Sequence, residues 1–172
     1  DERDAFLKRH DVIMIKETQN LMGTGIERVV LAEVDPEDLY HQCMQSGQYL
    51  WEEFFIQHPK MNELYDKSVN TLRIITFFDG SKTHVLESVI KMGNGGHLDN
   101  FGAGGMYSIL DDRGKVLYTA FDGEGDAYPI HPASETPIVG FQVPLFDDVI
   151  RLVTKASQRV PQVPYVGDRK SV

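Results

Sequence analysis

The sequence predicts an α+β fold. Short β-branched and aromatic runs recur along most of its 172 residues, while helical periodicity is confined to two or three stretches. The two kinds of element do not alternate as a doubly wound parallel sheet requires, so largely antiparallel sheets with helices set to one side are expected.

The elements follow in chain order. Val12, Ile13, Met14 and Ile15 form one strand-like run and Arg28 to Val34 another, joined by a loop holding Gly23, Thr24 and Gly25. Asp35-Pro36-Glu37-Asp38 supplies a helix cap, a proline at the first helical position and early acids; Leu39, Tyr40, Cys43 and Met44 follow at helical spacing, and Gly47 ends the helix. Tyr49 to Phe55 returns to strand character until Gln57-His58-Pro59 breaks it. A lobe boundary is expected around this stretch, with residues 1–50 as a strand–glycine loop–strand–helix–strand lobe and 51–172 as a second one.

Thr71 to Phe78 and Thr83 to Ile90 read as strands about a turn at Asp79-Gly80-Ser81. Six glycines between Gly93 and Gly105 make that stretch an ordered loop. Met106 to Leu110 and Lys115 to Phe121 flank a hairpin turn at Asp111-Asp112-Arg113-Gly114. Asp147 is expected to cap a helix whose apolar face is Val149, Ile150, Val153, Ala156 and Val160, stopped by Pro161 and Pro164.

A net charge of −9 leaves no basic surface suited to a nucleic acid or an anionic membrane. Any bound polyphosphate must be held locally. Cys43 is the single cysteine, which excludes an internal disulfide and a multi-cysteine zinc site and points to the cytoplasm. No apolar run approaches the roughly 18 residues that span a bilayer. The first residue is not methionine, and the sequence is expected to continue upstream.

Several residues can carry chemistry, each beside a plainer reading. Lys16 ends a buried-looking strand just before the glycine loop, where an ammonium and approachable backbone N–H groups suit phosphate oxygens; the spacing matches neither the Walker pattern nor G-x-G-x-x-G, and a solvated hairpin lysine fits as well. Trp51-Glu52-Glu53-Phe54-Phe55 can hold a planar base, or can be a strand with aromatics inward and glutamates outward. Arg73 lies inside an apolar run, where a guanidinium serves either an oxyanion or a structural ion pair. Asp122, Glu124 and Asp126 alternate with glycines but lack the further oxygens of a calcium loop, so a solvated acidic loop is expected. The six histidines form no metal pair.

Ser68-Val69-Asn70-Thr71-Leu72-Arg73, Leu98-Asp99-Asn100-Phe101-Gly102-Ala103-Gly104-Gly105, His131-Pro132 and Gly140-Phe141-Gln142-Val143-Pro144 occur in this order. Together they resemble the sugar-transfer-associated ATP-grasp family, related to alpha-L-glutamate ligases, over about Asp11 to Gly167. The resemblance implies two small α+β lobes clasping ATP and Mg²⁺, and activation of a carboxylate as an acyl phosphate for an amine or another nucleophile. It makes Lys16 the lid lysine on the phosphates, Gly23 and Gly25 the phosphate loop, and Glu52, Glu53, Phe54 and Phe55 the adenine hinge. Arg73 then faces the γ-phosphate or acyl phosphate as the catalytic cation, and Asn70, Asp99 and Asn100 line the same cleft. A small acid or amine is the implied second substrate.

The resemblance departs after Tyr165-Val166-Gly167, where the family pattern continues with an aromatic residue, a strand aspartate and later a Glu-x-Asn pair holding Mg²⁺. Here Asp168-Arg169-Lys170-Ser171-Val172 follows instead. Asp168 is the one candidate stand-in, and Arg169 and Lys170 beside it oppose a cation. The expectation is therefore an incomplete magnesium site, no assigned metal ligand, and either an ATP-dependent ligase domain of polysaccharide or cell-surface biosynthesis or a non-catalytic nucleotide-binding scaffold of the same pathway. A missing lobe or strands would uncover apolar surface, so a homo-oligomer stays open.

Overall fold

The computed structural model describes residues 2–19, 25–96 and 99–172. Gly23, expected in the phosphate loop, lies outside the described residues. The chain divides into two compact units, Asp1–Ile56 and Gln57–Val172.

In the first unit a short helix α1 (Glu2–Leu7) precedes strand β1 (Val12–Lys16), which pairs antiparallel with β2 (Ile26–Val30) on one side and β3 (Leu50–Glu53) on the other. Between β2 and β3 runs helix α2 (Pro36–Ser46). Its start and end are those the sequence predicts: the Asp35 carboxylate accepts from the backbone N–H of Glu37 at 2.9 Å and of Asp38 at 3.1 Å, and Gly47 leaves the helix at φ 81°. β1 alternates, so Ile13 and Ile15 turn inward and meet Val29, Leu39 and Cys43 in a small core. Burial raises the pKa of the Cys43 thiol, as suits an unreactive core residue.

The second unit opens with the single helical turn α3 (Pro59–Asn62) and the hairpin of β4 (Thr71–Phe78) and β5 (Thr83–Met92). β6 (Met106–Ile109), β7 (Ala120–Phe121) and β8 (Ala127–Tyr128) extend it on one side and β9 (Tyr165–Ser171) on the other, giving an antiparallel sheet in the order β8-β7-β6-β5-β4-β9. Helix α4 (Phe146–Arg159) covers one face. Leu72, Ile74, Ile90, Met92 and Met106 bury against its Phe146, Val149 and Val153, together with Met61 and Leu64. The α+β class with two antiparallel sheets is therefore what the chain adopts. No described helix is long and apolar enough to cross a membrane.

Two local expectations are corrected. Asp147 does not cap α4: Leu145 occupies that position at φ 53° with no side-chain cap, and Asp147 and Asp148 lie in the first turn, where their charge suits the helix dipole. Phe146 explains the shift, since its ring sits where a Cβ on Gly114 would be and must enter the core at the helix's first residue. The expected strand at 115–121 is reduced to the two residues of β7, because Val116 donates to Phe141 O at 2.9 Å and accepts from Gly140 N–H at 2.9 Å. Its backbone groups are spent on that segment and not on β6.

Candidate functional site

Strand alternation decides which chemistry-bearing residues share a face. In the first unit Lys16 ends β1 on the side away from Ile13 and Ile15, and its ammonium pairs with the Glu52 carboxylate on neighbouring β3. Glu53 projects to the other side of β3, so the two glutamates do not face one surface. Arg28, directly across β1 from Met14, carries its guanidinium 5.2 Å from the centre of the Phe54 ring. Phe54 and Phe55 are both exposed beyond the end of β3. Gly25 sits at φ 71° with its carbonyl accepting from Glu17 N–H at 3.2 Å, a conformation glycine adopts without strain.

In the second unit the face of the large sheet turned away from α4 brings three cations together near one end, with Glu87 further along β5 on the same side. On β4, Leu72 and Ile74 turn toward α4 while Thr71 and Arg73 turn away. The ladder registers Thr71 with Lys91 on β5 and Arg73 with Arg169 on β9, so the three cations share that face. Arg73 leans over β9, with one guanidinium nitrogen 3.7 Å from where a Cβ on Gly167 would stand.

Asp99 is buried beside them. One carboxylate oxygen accepts from Arg169 Nη2 at 2.7 Å and the other from the Thr71 hydroxyl, which in turn lies 3.3 Å from Arg169 Nε. Burial lowers the pKa of the Lys91 ammonium; Asp99 opposes that shift, and Arg169 and Arg73 add to it. Among the described residues the side chains of Arg73 and Lys91 have no hydrogen-bond or ion-pair partner.

Asn70 does not line this face. It is fully buried, and its amide nitrogen lies 2.7 Å from Tyr65 O, 3.0 Å from Met61 O and 3.2 Å from Gln57 Oε1. Its carbonyl oxygen receives Gly93 N–H at 3.4 Å, so every polar atom of the side chain serves the fold. Gln57 braces the same turn through Tyr65 O and Ser68 O, each at 2.9 Å. His131 holds the start of the glycine-rich loop from outside: Nε2 donates to Gly93 O at 2.8 Å, Nδ1 accepts from Ala133 N–H at 3.2 Å, and the ring stacks on Tyr65. Burial pushes its pKa down, with the Gly93 bond opposing, so the neutral ring is the resident form. Asn100 immediately precedes the 3-10 turn of Phe101–Ala103 and contributes its backbone carbonyl to Gly105 N–H at 3.0 Å.

The donor set around Arg73 does not suit Mg²⁺, which needs several oxygens in an octahedron. Both Asp99 oxygens are engaged, and no group of three His, Cys, Asp or Glu side chains that could hold a metal stands among the described residues. Asp168 faces the α4 side of β9, in register with Ile74 and beside Lys170 at 3.8 Å, while Arg169 takes the position next to Arg73. Asp122 is likewise spent internally, accepting from Glu124 N–H, Asp126 N–H and the Tyr128 hydroxyl at 2.9–3.0 Å to close the β7–β8 hairpin.

Sequence reasoning missed Lys91, Arg169 and Thr71 as parts of this group. Lys91 carries the same signal as Arg73, a cation within an apolar strand. Arg169 needed the β4–β9 register, which no local pattern contains.

Two antiparallel sheets in two units, with few helices, define an α+β protein. The chain belongs to the ATP-grasp family described as sugar-transfer associated, which it matches over residues 8–168. No curated protein and no solved structure matches the chain.

Proposed function

We propose that the chain is the ATP-binding part of an ATP-dependent ligase that joins a carboxylate to an amine or another nucleophile in polysaccharide or cell-surface biosynthesis. Family membership supports ATP binding in a sugar-transfer setting. The observation carrying the reading further is the sheet face turned away from α4, where Arg73, Lys91 and Arg169 stand together and Asp99 is engaged by Arg169 and Thr71. Fixed positive charge there favours an anion that gathers charge as a phosphoryl group moves.

In such a reaction the substrate carboxylate attacks the γ-phosphorus, ADP leaves, and the resulting acyl phosphate yields phosphate when the amine attacks its carbonyl carbon. Arg73 is the residue assigned to the transferring phosphoryl group. Within the first unit Lys16 is the candidate for phosphate oxygens after exchanging its Glu52 partner for them, with Gly25 allowing backbone approach. Glu52, Phe54 and Phe55 are the adenine-side candidates; Asp99 holds Arg169, and Asn70 acts only through the fold. Mg²⁺ is the metal expected of the family, and no residue is assigned to it.

A second reading has its own support. A non-catalytic nucleotide-binding or scaffold domain would have no need of magnesium ligands, and the described residues provide no suitable cluster. ATP binding measured by calorimetry, followed by acceptor-dependent ADP release in the presence of Mg²⁺, separates the two. Binding with turnover supports the ligase, binding without turnover the scaffold, and no binding by the folded chain rejects both.

A further inference from the structure

Strand β6 and the segment leading into β7 do not pair evenly. Ile109 O accepts from Leu117 N–H at 3.0 Å and Tyr107 stands across from Phe121, so Tyr118, Thr119 and Ala120 together oppose Ser108. The surplus makes the chain bow out of the ladder as a bulge does, and the Ser108 hydroxyl holds the bow by donating to Tyr118 O at 2.7 Å. Beneath it lies a cavity of about 230 Å³ lined by Tyr107, Ser108, Ile109, Tyr118, Thr119 and Phe121. Its wall is almost wholly apolar. Phe101 steadies the Tyr107 ring from outside, edge-on with 5.2 Å between centroids.

An apolar cavity of about 150 Å³ stays dry and takes up benzene, so this one has room for a single six-membered ring and a short attachment. It offers a sugar ring little, because hydroxyls buried there would lose water without gaining partners. The β5–β6 ladder puts Tyr107 across from Lys91 and Ile109 across from Val89, so Lys91 stands beside the cavity on the same side of the sheet. Its acidic neighbours leave the ammonium to an incoming acid. Asp99 is engaged by Arg169 and Thr71, and Glu87, on the same side of β5, is roughly 13 Å away at ordinary strand rise.

We propose that this cavity is the side-chain pocket for the carboxylate substrate, which is an organic acid bearing one apolar ring: the ring enters between Tyr107, Tyr118 and Phe121, and the carboxylate meets Lys91. The inference rests on the ligase reading and names the class of acid that reading leaves open. Apolar walls select the ring, and one charged group at the rim fixes which way round the acid lies.

The test is titration calorimetry of the full chain with 3-phenylpropionate, beside propionate, 3-phenylpropanol and methyl glucoside, with ATP titrated separately. 3-Phenylpropionate is expected to bind roughly ten- to hundredfold more tightly than propionate, the gain from burying one ring. Thr119→Phe, which fills the cavity, and Phe121→Ala, which removes a wall, should each weaken it about tenfold or more. Tyr165→Ala, an exposed aromatic on β9 at the other margin of the sheet, should leave it unchanged. Lys91→Gln should weaken 3-phenylpropionate and spare 3-phenylpropanol, which separates the charge from the ring. Circular dichroism confirms that each variant is folded. Equally tight propionate or methyl glucoside, undiminished binding by both cavity variants, or displacement of 3-phenylpropionate by adenosine would overturn the pocket. So would sedimentation showing a dimer that Phe121→Ala dissociates. ATP binding without 3-phenylpropionate binding sinks this inference and leaves the ATP reading standing; the opposite result keeps the pocket and removes the ATP reading.

Discussion

Gln57 and Asn70 form one buried unit: the Gln57 side-chain oxygen accepts from both the backbone N–H of Asn70, at 2.9 Å, and its amide, at 3.2 Å. Between them they close the segment from α3 to β4 over the carbonyls of Met61, Tyr65 and Ser68. Asn70→Ala takes one donor from each of the Met61 and Tyr65 carbonyls, which keep other partners, and removes the acceptor of Gly93 N–H, so a loss of about 1 to 3 kcal/mol is expected in urea unfolding. Gln57→Ala should cost a similar amount, and the double variant less than the two losses added together, because the partners share one network.

Glycines in the second unit separate two kinds of cost. Gly95 has φ 82° with open space around it, so Gly95→Ala should lose only about 1 to 2 kcal/mol of backbone strain. Gly114, at φ 79°, lies against the Phe146 ring, and Gly114→Ala should cost at least about 1 kcal/mol more, from overpacking added to that strain. Thermal unfolding of the two variants side by side checks the order.

His131 ties stability to pH. Its folded pKa lies below the ordinary value, so the unfolded chain binds more protons between the two values, and stability falls as pH drops from about 6.5 toward the folded pKa. Above about 6.5 its full contribution is present. Tyr65, Gly93, Ala133 and Ser134 surround the ring, and none supplies a charge to offset protonation. Urea midpoints from pH 8 to pH 5 should show this decline in the native protein and a shallower one in His131→Asn.

The Lys16–Glu52 pair predicts effects of opposite sign on ATP affinity. Lys16→Ala should weaken binding about tenfold or more through loss of a charge-assisted contact. Glu52→Gln frees the ammonium and should tighten it. Weaker binding in both variants would show that contact of the Glu52 carboxylate with the adenine outweighs its hold on Lys16. The measurement is titration with ATP at fixed ionic strength.

Much of the fold was legible because its signals are local. The Asp35–Pro36 cap and Gly47 define α2, and the Asp79 carboxylate closes the β4–β5 turn by accepting from Ser81 N–H at 2.8 Å and Lys82 N–H at 2.7 Å. Arg73 was legible as a cation out of place among apolar neighbours. The hydrogen bonds of Asn70 were not legible, because a polar residue in a recognisable motif looks alike whether it faces a ligand or holds backbone carbonyls. Arg169 escaped notice because its place beside Arg73 depends on pairing two strands more than 80 residues apart in sequence.

That pairing also shapes how the chain folds as it is made. Until Tyr165–Ser171 leaves the ribosome, β4 offers a free row of backbone donors and acceptors along Thr71–Phe77, a segment rich in Leu, Ile and Phe that another chain could pair with. β9 then closes that row and replaces it at the sheet margin with Asp168, Arg169 and Lys170, three adjacent charges that discourage further strand addition. The segment that brings an arginine beside Arg73 thus also shields the nascent protein from self-assembly.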